Sequence, residues 1–182
     1  MTRALLIVDI QNDYFPGGKM ELVGSELASR RAGQLLAAFR DRRLAVIHVQ
    51  HLSVRPGASF FVPGTDGVTI HASVAPVEHE PVIQKNFPNS FRDTPLLDQL
   101  RTAGVQELVI AGMMTHMCID ATTRAAADAG FACALAHDAC ATRALGFGAT
   151  NVPAEHVQAS FLAALQGTYA SVRPASELIA GL

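Results

Sequence analysis

Charge is scarce in this chain. Asp, Glu, Lys and Arg together make up 16% of its 182 residues, and the formal net charge at pH 7 is −2. Such a chain has no electrostatic attraction for nucleic acid or for an anionic membrane surface, so we expect neither as a partner. The apolar share of 49% excludes an intrinsically disordered chain. So few charges leave a rather apolar surface, which favours self-association into a homo-oligomer.

Long hydrophobic runs and disulfide-type cysteine patterns are missing as well. No charge-free apolar stretch reaches the roughly 18 residues of a transmembrane helix. The opening MTRALLIVDI lacks the basic region and cleavage site of a secretory leader. The three cysteines, Cys118, Cys133 and Cys140, are an odd number without framework spacing, which predicts free thiols in a reducing compartment. We therefore expect a cytoplasmic protein.

Strand-like and helix-like segments alternate along the chain. Short apolar runs typical of buried parallel strands are residues 4–8, 44–49, 81–84, 107–111 and 132–136. Segments with helical periodicity or helix-end signals are residues 25–42, with Ser25 as the predicted N-cap, 93–104, which begin at Asp93, 118–129 and 154–165. The alternation predicts an α/β fold of three αβα layers. The length predicts a single domain over residues 1–182.

Residues 51–80 interrupt this alternation and are rich in Pro and Gly. An irregular segment this long within a domain is usually functional. Its histidines, together with His48, suggest a metal site, but His48 and His51 lie three apart on a strand or its end and point to opposite faces. The chain has neither an HExxH nor a CxxC motif, and GxGxxG and P-loop patterns are missing too. We therefore predict no metal and no other cofactor.

Three reactive side chains lie just beyond predicted strands. Asp9 follows residues 4–8, Lys85 follows 81–84, and Cys118 lies where a helix begins after 107–111. The carboxyl ends of parallel strands meet at one edge of the sheet, where open α/β folds bind ligands. Taken singly, each residue also fits a structural role, as a turn-capping carboxylate, a surface ammonium or a buried thiol. Together they form the arrangement of an activated nucleophile.

Each member of this trio has a distinct expected role. Only the thiolate form of Cys118 attacks, and a helix N-terminus and the charge of Lys85 are both expected to lower the pKa of the thiol. Asp9 is expected to accept the thiol proton and later to return it to a leaving group. Backbone N–H groups in the turn before the helix are predicted to form an oxyanion hole.

The segments that carry these residues resemble the isochorismatase-like cysteine hydrolases. They are ALLIVDIQNDYF (4–15), VIQKNFPNSF (82–91) and LVIAGMMTHMCIDATTRAAADAGF (108–131), followed by DACAT (138–142). The resemblance implies a Rossmann-like, mostly parallel sheet of about six strands, a catalytic triad of Asp9, Lys85 and Cys118, and a dimer or tetramer. It also implies a cis peptide bond between Met113 and Met114, with the N–H groups of Met114 and Cys118 as the oxyanion hole.

One stretch departs from the nicotinamidase branch of that family. The resemblance places a metal-binding Asp-x-His pair near Gln50–Ser53, but the Asp is missing and Ser53 stands in place of the first His. His71 matches a downstream ligand, and one or two histidines do not complete such a site. The departure favours the metal-free branches. Residues predicted to contact a small-molecule substrate are Phe15, Gln50, His51, Phe91, Thr115 and His116.

Three functions are open at this point. The first is a metal-free cysteine hydrolase that cleaves a small amide or related C–N bond through a thioester. The second is a vinyl ether hydrolase of the isochorismatase type, in which Asp9 is the general acid and Cys118 is incidental. The third is a non-catalytic protein that binds a small molecule in the same pocket.

Overall fold

Six parallel strands form the central sheet of the computed structural model, which describes residues 2–182. They are β1 (Arg3–Val8), β2 (Ala45–His51), β3 (Val82–Lys85), β4 (Glu107–Met113), β5 (Ala132–Ala141) and β8 (Ser171–Arg173), and a separate antiparallel hairpin consists of β6 (Leu145–Phe147) and β7 (Thr150–Val152). The order across the sheet is β3-β2-β1-β4-β5-β8. From β1 to β3 the chain adds strands towards one edge of the sheet, and from β4 onwards it adds them towards the other edge. β1 and β4 therefore lie side by side at the centre.

Five helices cover the two faces of the sheet. They are α1 (Ser25–Asp41), α2 (Leu96–Thr102), α3 (Asp120–Asp128), α4 (Ala154–Leu165) and α5 (Ala175–Ala180). Successive residues of β1 alternate between two apolar clusters, with Leu5 facing α1 and α5 and Leu6 facing α2, α3 and α4. Burial on both faces explains why the strands are continuously apolar. The predicted three-layer α/β fold is confirmed.

The ends of two helices differ from their predicted positions. Ser25 is the first helical residue rather than the cap, since Gly24 precedes it with a φ of 76° and no side chain caps the helix. The second helix begins at Leu96 rather than Asp93, because Asp93 has a left-handed φ of 56°. Residues 51–80 hold only two short 3₁₀ turns beyond the end of β2. The irregularity predicted for that segment is confirmed.

The cysteines, the helix lengths and the exposed surface bear on the predictions of free thiols, of no membrane span and of self-association. All three cysteines are free and buried, as the odd number indicated. Within residues 2–182, none of the helices has the length and apolar content needed to cross a membrane. The β6–β7 hairpin carries Phe147, which is 88% exposed. Self-association of the chain stays a prediction.

Candidate active site

The sheet brings Asp9, Lys85 and Cys118 together at its carboxyl edge. Asp9 directly follows β1, Lys85 ends β3, and Cys118 lies in a single π-helical turn, Thr115–Ile119, between β4 and α3. β4 approaches β1 closely here: a Cβ on Gly112 would lie 2.0 Å from the carbonyl oxygen of Val8. Only glycine fits that contact.

The ammonium of Lys85 is the centre of the site. Its Nζ lies 2.7 Å from Asp9 Oδ2, 3.2 Å from Cys118 Sγ and 2.9 Å from His51 Nδ1. It also donates to the carbonyl of Phe87 at 3.1 Å. The side chains of Asp9 and Lys85 are both fully buried. Burial on its own would lower the pKa of Lys85, but the charge of Asp9 and the hydrogen bonds to Asp9 and Cys118 outweigh it and raise that pKa, so the ammonium keeps its proton.

The thiol of Cys118 has the opposite pKa shift from the one predicted. Burial raises its pKa, the negative charge of Asp9 raises it further, and Lys85 only partly opposes them. The prediction of a lowered pKa was wrong, because it counted the lysine and the helix terminus but not desolvation and the carboxylate. The resting site therefore contains a neutral thiol beside the carboxylate of Asp9, which pairs with Lys85. Sγ of Cys118 lies within 4.8 Å of a carboxylate oxygen of Asp9.

His51 enters this network as a neutral acceptor. Burial and the neighbouring cations Lys85 and Arg55 lower the pKa of His51 to about 4, although Asp9 opposes the shift. The neutral ring presents an unprotonated Nδ1 to the ammonium of Lys85. The side-chain amide of Gln11 fixes the backbone of His51: its Nε2 donates to His51 O at 3.0 Å, and its Oε1 accepts from His51 N at 2.8 Å.

Asp9, His51 and Cys118 form a donor set of the kind that holds a metal ion, since one donor atom of each lies within 4.8 Å of the others. The Nζ of Lys85 already contacts all three. A cation in this position would have to displace the ammonium. His71 is engaged elsewhere, because its ring stacks on Phe15 at a centroid distance of 3.6 Å.

Cys118, although only 4% exposed, lines a cavity of about 380 Å³, a size that suits a small molecule. The other lining residues are Tyr14, His51, Ser53, Val54, Arg55, Pro56, Gly57, Ala58, Ser59, Phe60, Phe61, Asn86, Pro88, Met114 and Met117. Aromatic rings form one wall, and the rings of Tyr14 and Phe61 lie 4.6 Å apart. Most of the remaining wall comes from the irregular segment after β2.

Asp13, in the 3₁₀ turn that follows β1, anchors that segment. Its Oδ2 accepts a hydrogen bond from Phe61 N at 2.6 Å, and its Oδ1 accepts from Lys19 N at 3.1 Å. A Cβ on Gly67 would lie 2.2 Å from Oδ1 of this carboxylate. The absence of a side chain at Gly67 therefore allows the loop to close over Asp13.

Comparison with known proteins agrees with this geometry. A family model described as the isochorismatase domain matches residues 3–168. The chain belongs to the isochorismatase family. It is 53% identical over 173 residues, 95% of this chain and 96% of the relative, to the uncharacterized isochorismatase-family protein YddQ of Bacillus subtilis. The resemblance in the sequence is thereby confirmed.

A solved structure and an amidase extend the comparison. The crystal structure of an isochorismatase hydrolase from Oleispira antarctica superposes with a TM-score of 0.96 at 54% identity, covering 99% of this chain and 97% of that one. The nicotinamidase/pyrazinamidase of Mycobacterium tuberculosis is 30% identical over 152 residues, 71% of this chain and 81% of the relative. This chain is thus an isochorismatase-family hydrolase whose relatives include an amidase.

The structure places the six predicted substrate contacts in different surroundings. Only His51 lines the cavity. Gln50 donates to the carbonyl of Val68 at 3.0 Å, and Phe15 stacks on a histidine ring. Phe91 packs against the core ring of Phe131. Thr115 donates to the carbonyl of Ala141, and His116 pairs with the hydroxyl of Thr142. These five residues do not line the cavity, and their contact with a substrate stays a prediction.

The peptide bond between Met113 and Met114 is cis, as the family resemblance implied. Met114 lines the cavity beside Cys118. The oxyanion-hole roles of these two backbone N–H groups stay a prediction.

Arg55, Asn86 and Met117 line the cavity although no sequence pattern pointed to them. Met117 lies one residue before Cys118, and Asn86 directly follows Lys85, so their positions beside predicted site residues are a usable signal. Arg55 has no such signal, because a long loop brings it to the site. Tyr14, Phe60 and Phe61 belong to the aromatic residues that cluster near the same turns of the sequence.

Proposed function

We propose that this hydrolase cleaves a small amide or a related C–N bond through a thioester on Cys118. The observation that carries the proposal is the position of Lys85 Nζ, which bridges Asp9 at 2.7 Å and Cys118 at 3.2 Å, with Cys118 itself at the wall of the cavity. A nucleophile, a base and a fixed positive charge in direct contact are the requirements of covalent catalysis at a carbonyl carbon. The amidase among the relatives supports the same chemistry.

The neutral resting thiol sets the order of the proton transfers. Asp9 removes the proton from Cys118 as the sulfur attacks the carbonyl carbon, because the buried thiol does not ionise by itself. Lys85 stays protonated and donates to Sγ, so it stabilises the charge that develops on sulfur. The N–H groups of Met114 and Cys118 are the proposed donors to the oxyanion.

Collapse of the tetrahedral intermediate completes the first half-reaction. The C–N bond breaks, and Asp9 passes its proton to the leaving nitrogen, which departs as a neutral amine or ammonia. The acyl group is left on Sγ as a thioester. Asp9 then takes a proton from a water molecule that attacks this thioester, and the proton returns to Cys118 as the acid product leaves. One water is consumed, and the thiol and the carboxylate are restored.

The test is turnover of a panel of small amides and ureides, measured as released ammonia, with Cys118→Ala and Asp9→Asn as variants. Cys133→Ala is the matched control, because Cys133 is buried but does not line the cavity. We expect both site variants to lose at least a thousandfold in kcat/KM and the control to keep wild-type activity. Intact mass spectrometry of acid-quenched wild type should show an acyl adduct on Cys118.

Two outcomes would replace this proposal. Wild-type turnover by Cys118→Ala on isochorismate, lost in Asp9→Asn, would assign vinyl ether hydrolysis with an incidental thiol. Thermal stabilisation by small molecules without turnover of any substrate would assign a binding protein.

A further inference from the structure

The cavity wall carries a single full charge. Of the side chains that line it, only Arg55 is ionised at pH 7, since His51 and Cys118 are neutral and no Asp or Glu of residues 2–182 lines it. Within the same residues, Arg55 forms no ion pair. The charge of Asp9 is already matched by Lys85. The cavity therefore presents one positive charge, without a neighbouring counter-charge, to a ligand that enters it.

The loop holds the backbone of Arg55 in a defined place, while the residue itself is exposed. The N–H of Ala58 donates to the carbonyl of Arg55 at 3.1 Å, and Gly57 has a φ of 78°. With Pro56 at the second position, this is the pattern of a type II β-turn. The N–H of Ser53 donates to the carbonyl of Phe61 at 2.9 Å and closes the base of the loop.

This loop is itself fixed to the turn that follows β1. The N–H of Phe61 donates to the buried carboxylate of Asp13 at 2.6 Å. The backbone that carries Arg55 is thus ordered before any ligand binds, which reduces the entropy lost when the guanidinium engages one. The hydroxyls of Ser53 and Ser59 line the same wall and offer further donors.

Two segments of different chemistry line the cavity. Cys118 and Met114 come from the segment that follows β4, whereas Arg55 comes from the loop that follows β2. The rings of Tyr14, Phe60 and Phe61 line the same space. The field of Arg55 reaches the catalytic network, because it contributes to the lowered pKa of His51. A guanidinium recognises a carboxylate through paired, charge-assisted hydrogen bonds.

We propose that Arg55 selects substrates that carry a carboxylate at the end remote from the scissile amide. This inference rests on the proposed amide hydrolysis and names the class of amide. The reacting end lies at Cys118, and the carboxylate lies against the guanidinium of Arg55. A neutral amide lacks that contact, and a cationic amide is repelled.

The experiment uses three probes of similar length: succinamate, which is anionic, succinamide, which is neutral, and 4-aminobutanamide, which is cationic. Binding to the full-length Cys118→Ala variant is measured by calorimetry, and turnover is measured with the wild-type thiol. We expect succinamate to bind at least tenfold more tightly than succinamide, and 4-aminobutanamide to bind most weakly. In an Arg55→Gln background the preference for succinamate over succinamide should fall at least tenfold, and Arg55→Lys should restore part of it.

Arg101→Gln is the matched control, because Arg101 is exposed on α2 and does not line the cavity. It should leave the preference unchanged. Equal affinity for the three probes, no binding of any of them, or a preference that survives Arg55→Gln would overturn the role of Arg55. Charge selection in binding without turnover of any probe would support the role of Arg55 and count against amide hydrolysis. Turnover without charge selection would support amide hydrolysis and count against the role of Arg55.

Discussion

Removing the buried ammonium is the most direct test of how the site is held together. In Lys85→Met the apolar part of the side chain is kept, but the carboxylate of Asp9 loses the only cation that contacts it within residues 2–182. Both side chains are fully buried, so water cannot replace the lost partner. Breaking a buried ion pair by removing one partner costs about 3–5 kcal/mol.

We therefore expect Lys85→Met to lower the free energy of unfolding at pH 7 by about that amount, measured by urea denaturation followed by circular dichroism. Asp9→Asn combined with Lys85→Met removes both charges. Its loss should fall short of the sum of the two single losses by about 1–3 kcal/mol. The matched control is Lys19→Met at the chain's other lysine, which is exposed, with an expected change within about 0.5 kcal/mol.

Strict additivity of the two single variants would refute this reasoning, because it would mean that the two charges do not interact in the folded protein. A loss of less than about 1 kcal/mol in the free energy of unfolding of Lys85→Met would refute it as well, because leaving a buried carboxylate unpaired costs more than that.

Three further predictions concern the walls of the site. The pKa of His51 is lowered from 6.5 to about 4. Between those pH values the unfolded chain therefore holds a proton on His51 that the folded protein does not. Stability should therefore fall by about 2 kcal/mol from pH 7 to pH 4.5 relative to His51→Asn, and parallel pH profiles of the two proteins would contradict this. Burial raises the pKa of Tyr14. In Tyr169→Phe, where Tyr14 is the remaining tyrosine, the absorbance at 295 nm should therefore rise only well above pH 10. An inflection at about pH 10 or below would contradict this prediction. Gly67→Ala places a Cβ 2.2 Å from the carboxylate of Asp13 and should lower the free energy of unfolding by about 1–3 kcal/mol. Gly146→Ala, whose Cβ meets nothing nearer than 4.0 Å, should leave it unchanged. Equal effects of the two substitutions would show that the loop moves to accommodate the new side chain.

Much of the architecture was predictable because it rests on local patterns. The apolar runs that end at Val8 and Ala111 lie in the two central strands, and a run buried on both faces is visible in the sequence itself. Helix ends were less predictable. Asp93 looks like a helix start, yet its backbone has a left-handed φ, and nothing local to the residue reveals that.

Side-chain assignments in the pocket depended on packing that no pattern shows. Phe15 is much closer than His51 to a reactive residue in the sequence, but Phe15 stacks on a loop histidine while His51 accepts from Lys85. The direction of a side chain at the end of a strand depends on what covers it, and the covering loop comes from a different part of the chain. Arg55 reaches the cavity in the same way.

The sequence by itself determined which reactive groups this protein has and at which edge of the sheet they lie, because strand ends follow from local periodicity and the carboxyl ends of parallel strands share one edge. The tertiary structure decided the protonation state in which those groups rest. The pKa of Cys118 is raised by burial and by Asp9 against the opposing charge of Lys85, and that balance depends on distances between three segments far apart in the chain. Electrostatic free energy in a buried site is a sum over such distances.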